Sequence, residues 1–343
     1  MSVIRTAGGY SVAFRPRALI VGAACVAVAL AVAVLAIGSG EYPMSPGDVL
    51  RTLAGQGVPA DAFIVNELRL PRAVTALTVG AALALGGAIF QAVVRNPLGS
   101  PDVLGFTYGS ATGALTAIVI FGGGSAALAG GALLGGIVTG LLVYGLAWRR
   151  GMHGYRLVLV GVGVAAILTG VNGYLLTRAQ ITEAGRAVLW MTGSLNGRGW
   201  DDVMPLLVGI AVLVPVVLLG CARGLRMMEM GDDAAYALGV RVERVRLVLL
   251  GAGVLLVALA AAAAGPVAFV ALTAPQLARR LTKSPGPNLL PSMCMGAVLL
   301  AAADLAAQRV FAEHELPVGV ITGVLGGGYL VWLLATERRA GRI

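Results

Sequence analysis

Long apolar runs alternate along this chain with short segments that gather its charges. A helix needs roughly 20 apolar residues to cross the hydrocarbon core of a bilayer, and runs of that kind recur from end to end. The pattern predicts ten transmembrane helices, near residues 18–38, 73–94, 103–121, 126–147, 157–177, 203–221, 246–264, 266–282, 289–310 and 317–335. The expected fold is therefore an all-α polytopic membrane protein. It comprises one ten-helix domain over 18–335, tails at 1–17 and 336–343, and a polar connecting segment at 222–246. Arg5, Arg15 and Arg17 precede the first run in the manner of a signal peptide. That run is too long for a signal-peptide core and many more follow, so it reads as a retained helix.

An even number of crossings returns both termini to one side. Placing them in the cytoplasm puts 18 of the 25 basic residues in cytoplasmic segments. The rest, Arg51, Arg69, Arg72, Arg178, Arg186, Arg198 and Arg309, fall outside. That bias is what the positive-inside rule requires. Only 12% of the residues are charged and 58% are hydrophobic, against about 25% charged in soluble domains. The composition excludes an ordinary soluble enzyme and a disordered chain. The net charge of +9 follows the loops and does not indicate nucleic acid. Cys25, Cys221 and Cys294 lie far apart in apolar runs, and His153 and His314 stand alone. No disulfide framework and no metal site is expected.

The runs are rich in small residues: Gly80, Gly86 and Gly87 in one, and Gly130, Gly131, Gly135, Gly136 and Gly140 in another. Such residues let helix backbones approach closely in lipid. Pro275 and Gly326-Gly327-Gly328 are expected to interrupt the eighth and tenth helices. Between the fifth and sixth, Leu189 to Leu195 forms a short apolar piece ending at Gly193, suited to a re-entrant or interfacial helix with Trp190 and Trp200 at headgroup level.

Transport against a gradient needs an energy source. The single lysine, Lys283, sits in Leu281-Thr282-Lys283-Ser284 without the glycines of a phosphate-binding loop, so ATP hydrolysis would belong to another subunit. Within the apolar runs one carboxylate is clear, Asp304, and no second ionisable group stands at matching depth. It reads either as a proton or cation relay or as a structural carboxylate bonded to a neighbouring helix. The segment Glu229–Arg246 differs in kind. Asp232 and Asp233 suit a helix N-terminus, Gly239 suits its stop, and Val242 and Val245 open a second helix. This reads either as a rigid protrusion that receives a push or as a solvated connector.

Five ordered motifs then resemble one family: permease subunits of ABC importers for iron–siderophore complexes, haem and vitamin B12. They are Arg69-Leu70-Pro71-Arg72 with Val79 to Gly87 and Arg95 to Gly105; Trp190 to Leu195; Ala235-x-x-Leu238-Gly239; Gly265 to Val270 with Ala274 to Arg279; and Ala303-Asp304-Leu305 with Glu315 to Val320. The resemblance runs from about residue 40 to 335 and implies ten helices, as in the vitamin B12 permease. It implies a second permease subunit, identical or paralogous, two cytoplasmic ATPases that hold ATP and Mg, and an external binding protein delivering a metal chelate. It places the chain in the inner membrane of a bacterium, with no catalytic residue, metal or cofactor of its own. Asp232, Ala235, Leu238, Gly239 and Val240 would couple to the ATPase. Arg69 and Arg72, with Arg309 as a third, would meet acidic residues of the binding protein. Trp190, Met191, Ser194, Pro275 and Gln276 would belong to the path or its gate. Two positions depart from the pattern. Gln276 stands where many relatives have histidine, and Gln308 stands four residues after Asp304, where relatives often have arginine. A scarcity of acidic and imidazole ligands in the helices suits a chelated metal better than a bare ion. The alternative is an ion-coupled carrier using Asp304.

Overall fold

The computed structural model describes residues 2–5, 11–148, 154–310 and 316–339. Arg149, Arg150, His153, His314 and Glu315, and the end of the C-terminal tail, lie outside the described residues. Two short strands, β1 (Ser2–Arg5) and β2 (Ser11–Phe14), pair antiparallel inside what the sequence suggests is a plain N-terminal tail.

Helices make up the rest. They are α1 (Pro16–Gly38), α2 (Pro46–Leu53), α3 (Pro59–Phe63), α4 (Leu70–Val94), α5 (Phe106–Val119), α6 (Ser125–Ala147), α7 (Gly154–Arg178) and α8 (Ile181–Met191). After them come α9 (Trp200–Pro215), α10 (Ala222–Met228), α11 (Asp232–Ala237), α12 (Val242–Ala264), α13 (Val270–Thr282), α14 (Leu289–Arg309) and α15 (Val318–Arg339). Six-residue π-helical stretches lead from α3 into α4 (Ile64–Arg69) and from α9 into α10 (Val216–Cys221). We call the end of the bundle where α1 begins the near face and the opposite end the far face.

A helical segment overlaps each of the expected runs, but the segments are not equal. Among the described residues, seven are long and apolar enough to cross a bilayer. α5 has 14 residues and α13 has 13. At 1.5 Å per residue each rises only about 20 Å. Both expected spans begin with irregular backbone instead of helix, at 100–105 and 265–269. Irregular backbone at membrane depth is tolerated where protein surrounds it. Here Gly105 rests against Gly161 and Ala165 of α7. Thr107 Oγ1 donates to Asp102 at 2.6 Å, and the backbone amide of Phe269 points at the same carboxylate. One acidic side chain thus ties the two irregular stretches together.

The expected breaks at Pro275 and at Gly326-Gly327-Gly328 do not occur. α13 runs through Pro275 and α15 runs through its glycines. A helical proline leaves the carbonyl four residues earlier without a donor, here that of Ala271. Gly87 of α4 packs so closely on this oxygen that a Cβ on Gly87 would lie 1.8 Å from it. Only glycine permits the contact, and Cα–H donation to the carbonyl replaces part of the lost bond.

α4 is the centre of the bundle. It is buried on nearly every side, by α12, α13 and α14, as a helix apolar all round should be. Its backbone meets that of α14 at Gly80 and Gly296, where a Cβ on Gly80 would lie 2.3 Å from a carbonyl oxygen. α5 and α6 form a second close pair, and α1 lies outside against α14.

Candidate functional site

At the near face, the chain leaves α10, turns at Gly231 and makes the short helix α11. Gly231 precedes α11 with φ +114, and Asp232 and Asp233 occupy the first turn. Their carboxylates suit the helix dipole there, although neither side chain closes a cap hydrogen bond. The helix stops as its sequence suggests. Gly239 takes φ +80 and its N–H bonds the carbonyl of Tyr236, while Val240 N–H bonds that of Ala235. Ala235 is fully buried and packs with Met228 and Val242. Tyr236 and Leu238 point out, each at least half exposed. An α11 face of aromatic and aliphatic side chains is thus presented to whatever lies beyond the near face.

α11 is held from two sides by one carboxylate. Arg246 of α12 donates to Asp232 at 2.7 Å. Arg95, the left-handed residue that ends α4, donates to Asp232 and to the carbonyl of Met228. Burial alone would raise the Asp232 carboxyl, but Arg246, with Arg95 behind it, holds it below the ordinary carboxylate range. The sequence suggests helix capping for Asp232, and the family resemblance a part in coupling, but not this clamp. Arg95 is 137 residues away and Arg246 is 14 residues on, across the Gly239 turn and on another helix, so no spacing signals the clamp.

The far face repeats the chemistry in a drier setting. Asp304 is 2% exposed and takes a forked bond from Arg72, at 3.0 Å from Nη2 and 3.2 Å from Nε. Gln308 donates to it at 2.8 Å. The expectation that no ionisable partner stands at its depth is corrected. α4 and α14 are antiparallel neighbours, and a long arginine at the start of one reaches a carboxylate five residues from the end of the other. Arg72 also donates to Asn196 at 3.3 Å. Arg69 donates to the carbonyls of Ile37 and Tyr42, and Arg309 to Ser39 Oγ. Arg69 and Arg309 thus gather at the end of α1, Arg72 joins α4 to α14, and each is engaged by the chain itself.

The segment after α8 is wedged nearby. Trp190 is 8% exposed and packs with α5. Gly193 (φ +72) lets the chain turn so that Ser194 N–H reaches Ala264 O at 2.8 Å, and Gly193 O accepts from Gly319 N–H at 3.1 Å. Gly193 and Ser194 thus join α12 to the start of α15 at the far face, while Trp190 and Met191 pack in the cluster around α5. Pro275 and Gln276 are not with them. Gln276 Nε2 donates to Gln91 Oε1 at 2.6 Å and to Pro97 O at 3.1 Å, and Gln91 donates on to Leu272 O. This buried amide chain ties α13 to α4 and to the loop after it. The residues expected along one path fall into two separate groups.

The chain as a whole is similar to known proteins. The FecCD transport family matches residues 26–336. The chain belongs to that family. It is 47% identical over 302 residues to the ferric enterobactin transport system permease protein FepG of Escherichia coli (strain K12), covering 88% of this chain and 91% of the relative. It is 38% identical over 313 residues to the achromobactin transport system permease protein CbrC of Dickeya dadantii (strain 3937), covering 90% and 89%. Among solved structures, a metal-chelate type ABC transporter in an inward-facing conformation superposes with a TM-score of 0.82 at 27% identity, over 93% of this chain and 99% of that one. The FecCD chain is thus a polytopic ABC-importer permease of the vitamin B12 permease type, and its relatives are transport subunits. An ion-coupled carrier is not favoured, and the salt bridge to Arg72 gives Asp304 a structural task.

Proposed function

We propose that this FecCD-family chain is the membrane subunit through which chelated iron, a siderophore complex or a similar metal chelate, enters a bacterium. It lies in the inner membrane with the near face in the cytoplasm. The observation that carries this reading is the match to siderophore permeases over almost the whole chain. It is joined by a basic near face and an apolar protrusion with no phosphate-binding loop behind it.

In this reading the chain performs no hydrolysis. Separate ATPases bind ATP and Mg and push on α11 through Leu238 and Tyr236, while Ala235, Gly239 and Val240 shape the protrusion. Asp232 passes the displacement to α4 and α12 through Arg95 and Arg246. A second permease, identical or paralogous, completes the path between two chains. An external binding protein docks on the lip formed by Arg69, Arg72 and Arg309. The wedge Trp190–Ser194 acts at the outer gate, and the Gln276–Gln91 chain, beside Pro275, stiffens the wall. The test is uptake by vesicles holding the chain with and without its ATPase, supplied with ferric chelate and binding protein. Uptake that needs both ATP and the ATPase is expected. Gradient-driven accumulation by this chain alone would overturn the reading.

A further inference from the structure

A cavity of about 330 Å³ opens at the near face between the end of the π-helical stretch, the 284–288 loop and the start of α14. It belongs neither to α11 nor to the wedge at the far face. Its floor is apolar, formed by Leu218 and by Leu290, which is half exposed. Its mouth is cationic, formed by Arg15 and Arg226. Arg15 spends one nitrogen, Nη1, on Ser284 Oγ and Pro285 O. Arg226 uses only Nε, on Ala222 O. The other guanidinium nitrogens of both have no partner among the described residues. They are free to fork onto phosphate oxygens, the geometry in which arginine excels.

The elements on either side face lipid. α1 exposes Leu19 and Ile20 just above Arg15, and the π-helical stretch exposes Leu219 at 86%. A ligand in the cavity would therefore have its head among arginines and its tail on a wall already in contact with acyl chains. One acid stands nearby. Glu229 abuts Gly286 among Arg279, Arg15 and Arg226. Three arginines thus surround this one carboxylate, leaving the site cationic on balance. Arg17, Arg223, Arg280 and Lys283 add further positive charge close by in sequence.

We infer that this cavity binds one phospholipid with an anionic headgroup, the phosphate held by Arg15 and Arg226 and an acyl chain laid along Leu218 and Leu290. Basic pockets between helices at a cytoplasmic membrane edge suit such headgroups, with each arginine contributing about fivefold to affinity. Bound there, the lipid would pin α1 and the α13–α14 loop to the end of the π-helical stretch. The site rests on the membrane placement of the chain and is independent of the cargo.

The purified full-length chain in nonionic detergent can be titrated with short-chain phosphatidylglycerol, phosphatidylcholine and glycerol 3-phosphate, with native mass spectrometry reading the bound fraction. Phosphatidylglycerol is expected to saturate at one tight site. R15A/R226A should weaken it about thirtyfold, R15K/R226K should restore much of the loss, and R51A at the far face should change nothing. If the double alanine variant does not fold, R226A alone should weaken binding about fivefold. Equal binding of phosphatidylcholine would overturn the inference. So would equal binding of glycerol 3-phosphate, which would make this a small-anion site, or unchanged affinity in the arginine variants.

Discussion

The two faces solve one problem with opposite tolerances. Each holds an aspartate between basic or amide groups from separate helices. At the far face Asp304 is 2% exposed and fully surrounded. At the near face Asp232 has a side chain 35% exposed, sitting on a short helix. Two ions withdrawn from water are stable together, but removing one leaves the other uncompensated at a cost of about 3–5 kcal/mol. At the near clamp Arg246 is only 5% exposed but also pairs with Glu243, and the carboxylate of Asp232 is partly wet, so water screens one side of the pair and losing it strands less charge. The far pair is therefore the tighter latch, between α4 and α14, and the near clamp the wetter one.

The largest expected effect tests the latch. Asp304→Ala should destabilise the chain by about 3–5 kcal/mol by stranding Arg72, read as thermal unfolding in detergent. Asp304→Leu combined with Arg72→Met should recover most of the loss. A single variant within 1 kcal/mol of wild type would show that solvent reaches the pair.

Next comes the exposed apolar tip. Leu238→Asp should reduce ATP-stimulated uptake at least tenfold, about 1.4 kcal/mol of coupling. Stability should stay within about 0.5 kcal/mol, as for surface changes generally. Normal uptake would show that the ATPase engages another surface.

The clamp itself is a smaller matter. Its folded-state carboxyl is depressed, so its contribution is complete above the ordinary aspartate value of about 3.9 and is lost only as pH falls below it. A spin label at Tyr236→Cys should keep constant mobility from pH 7 down to that range and loosen below it. With Asp232→Asn added, it should be loose throughout. A mobility step near pH 6 would assign the anchoring to some other group. Smallest of all, Arg309→Glu should weaken binding-protein docking by no more than about fivefold at low salt, with the difference fading in 1 M salt.

Much of this was legible in the chain. Apolar run length located the helices because the bilayer imposes that length on them. The stop at Gly239 was legible because a left-handed residue after a helix favours glycine. Three features were not. The short α5 and α13 escaped because hydropathy reads transfer from water and is blind to whether a buried stretch is helical. Pro275 breaks helices when read alone, and the glycine that packs on the carbonyl it leaves free, Gly87 of α4, stands nearly two hundred residues earlier in the chain. The Arg72–Asp304 pair is hidden in the sequence because position along one helix does not fix its depth against another, and an arginine side chain spans the offset between two helix ends.

α4 carries Arg72 near one end and is capped by Arg95 at the other, and its 25 residues span about 37 Å. Encased along its length and gripped by a carboxylate at each tip, it has the makings of an axle. The Asp232 and Asp304 contacts are therefore joined through a single stretch of buried helix.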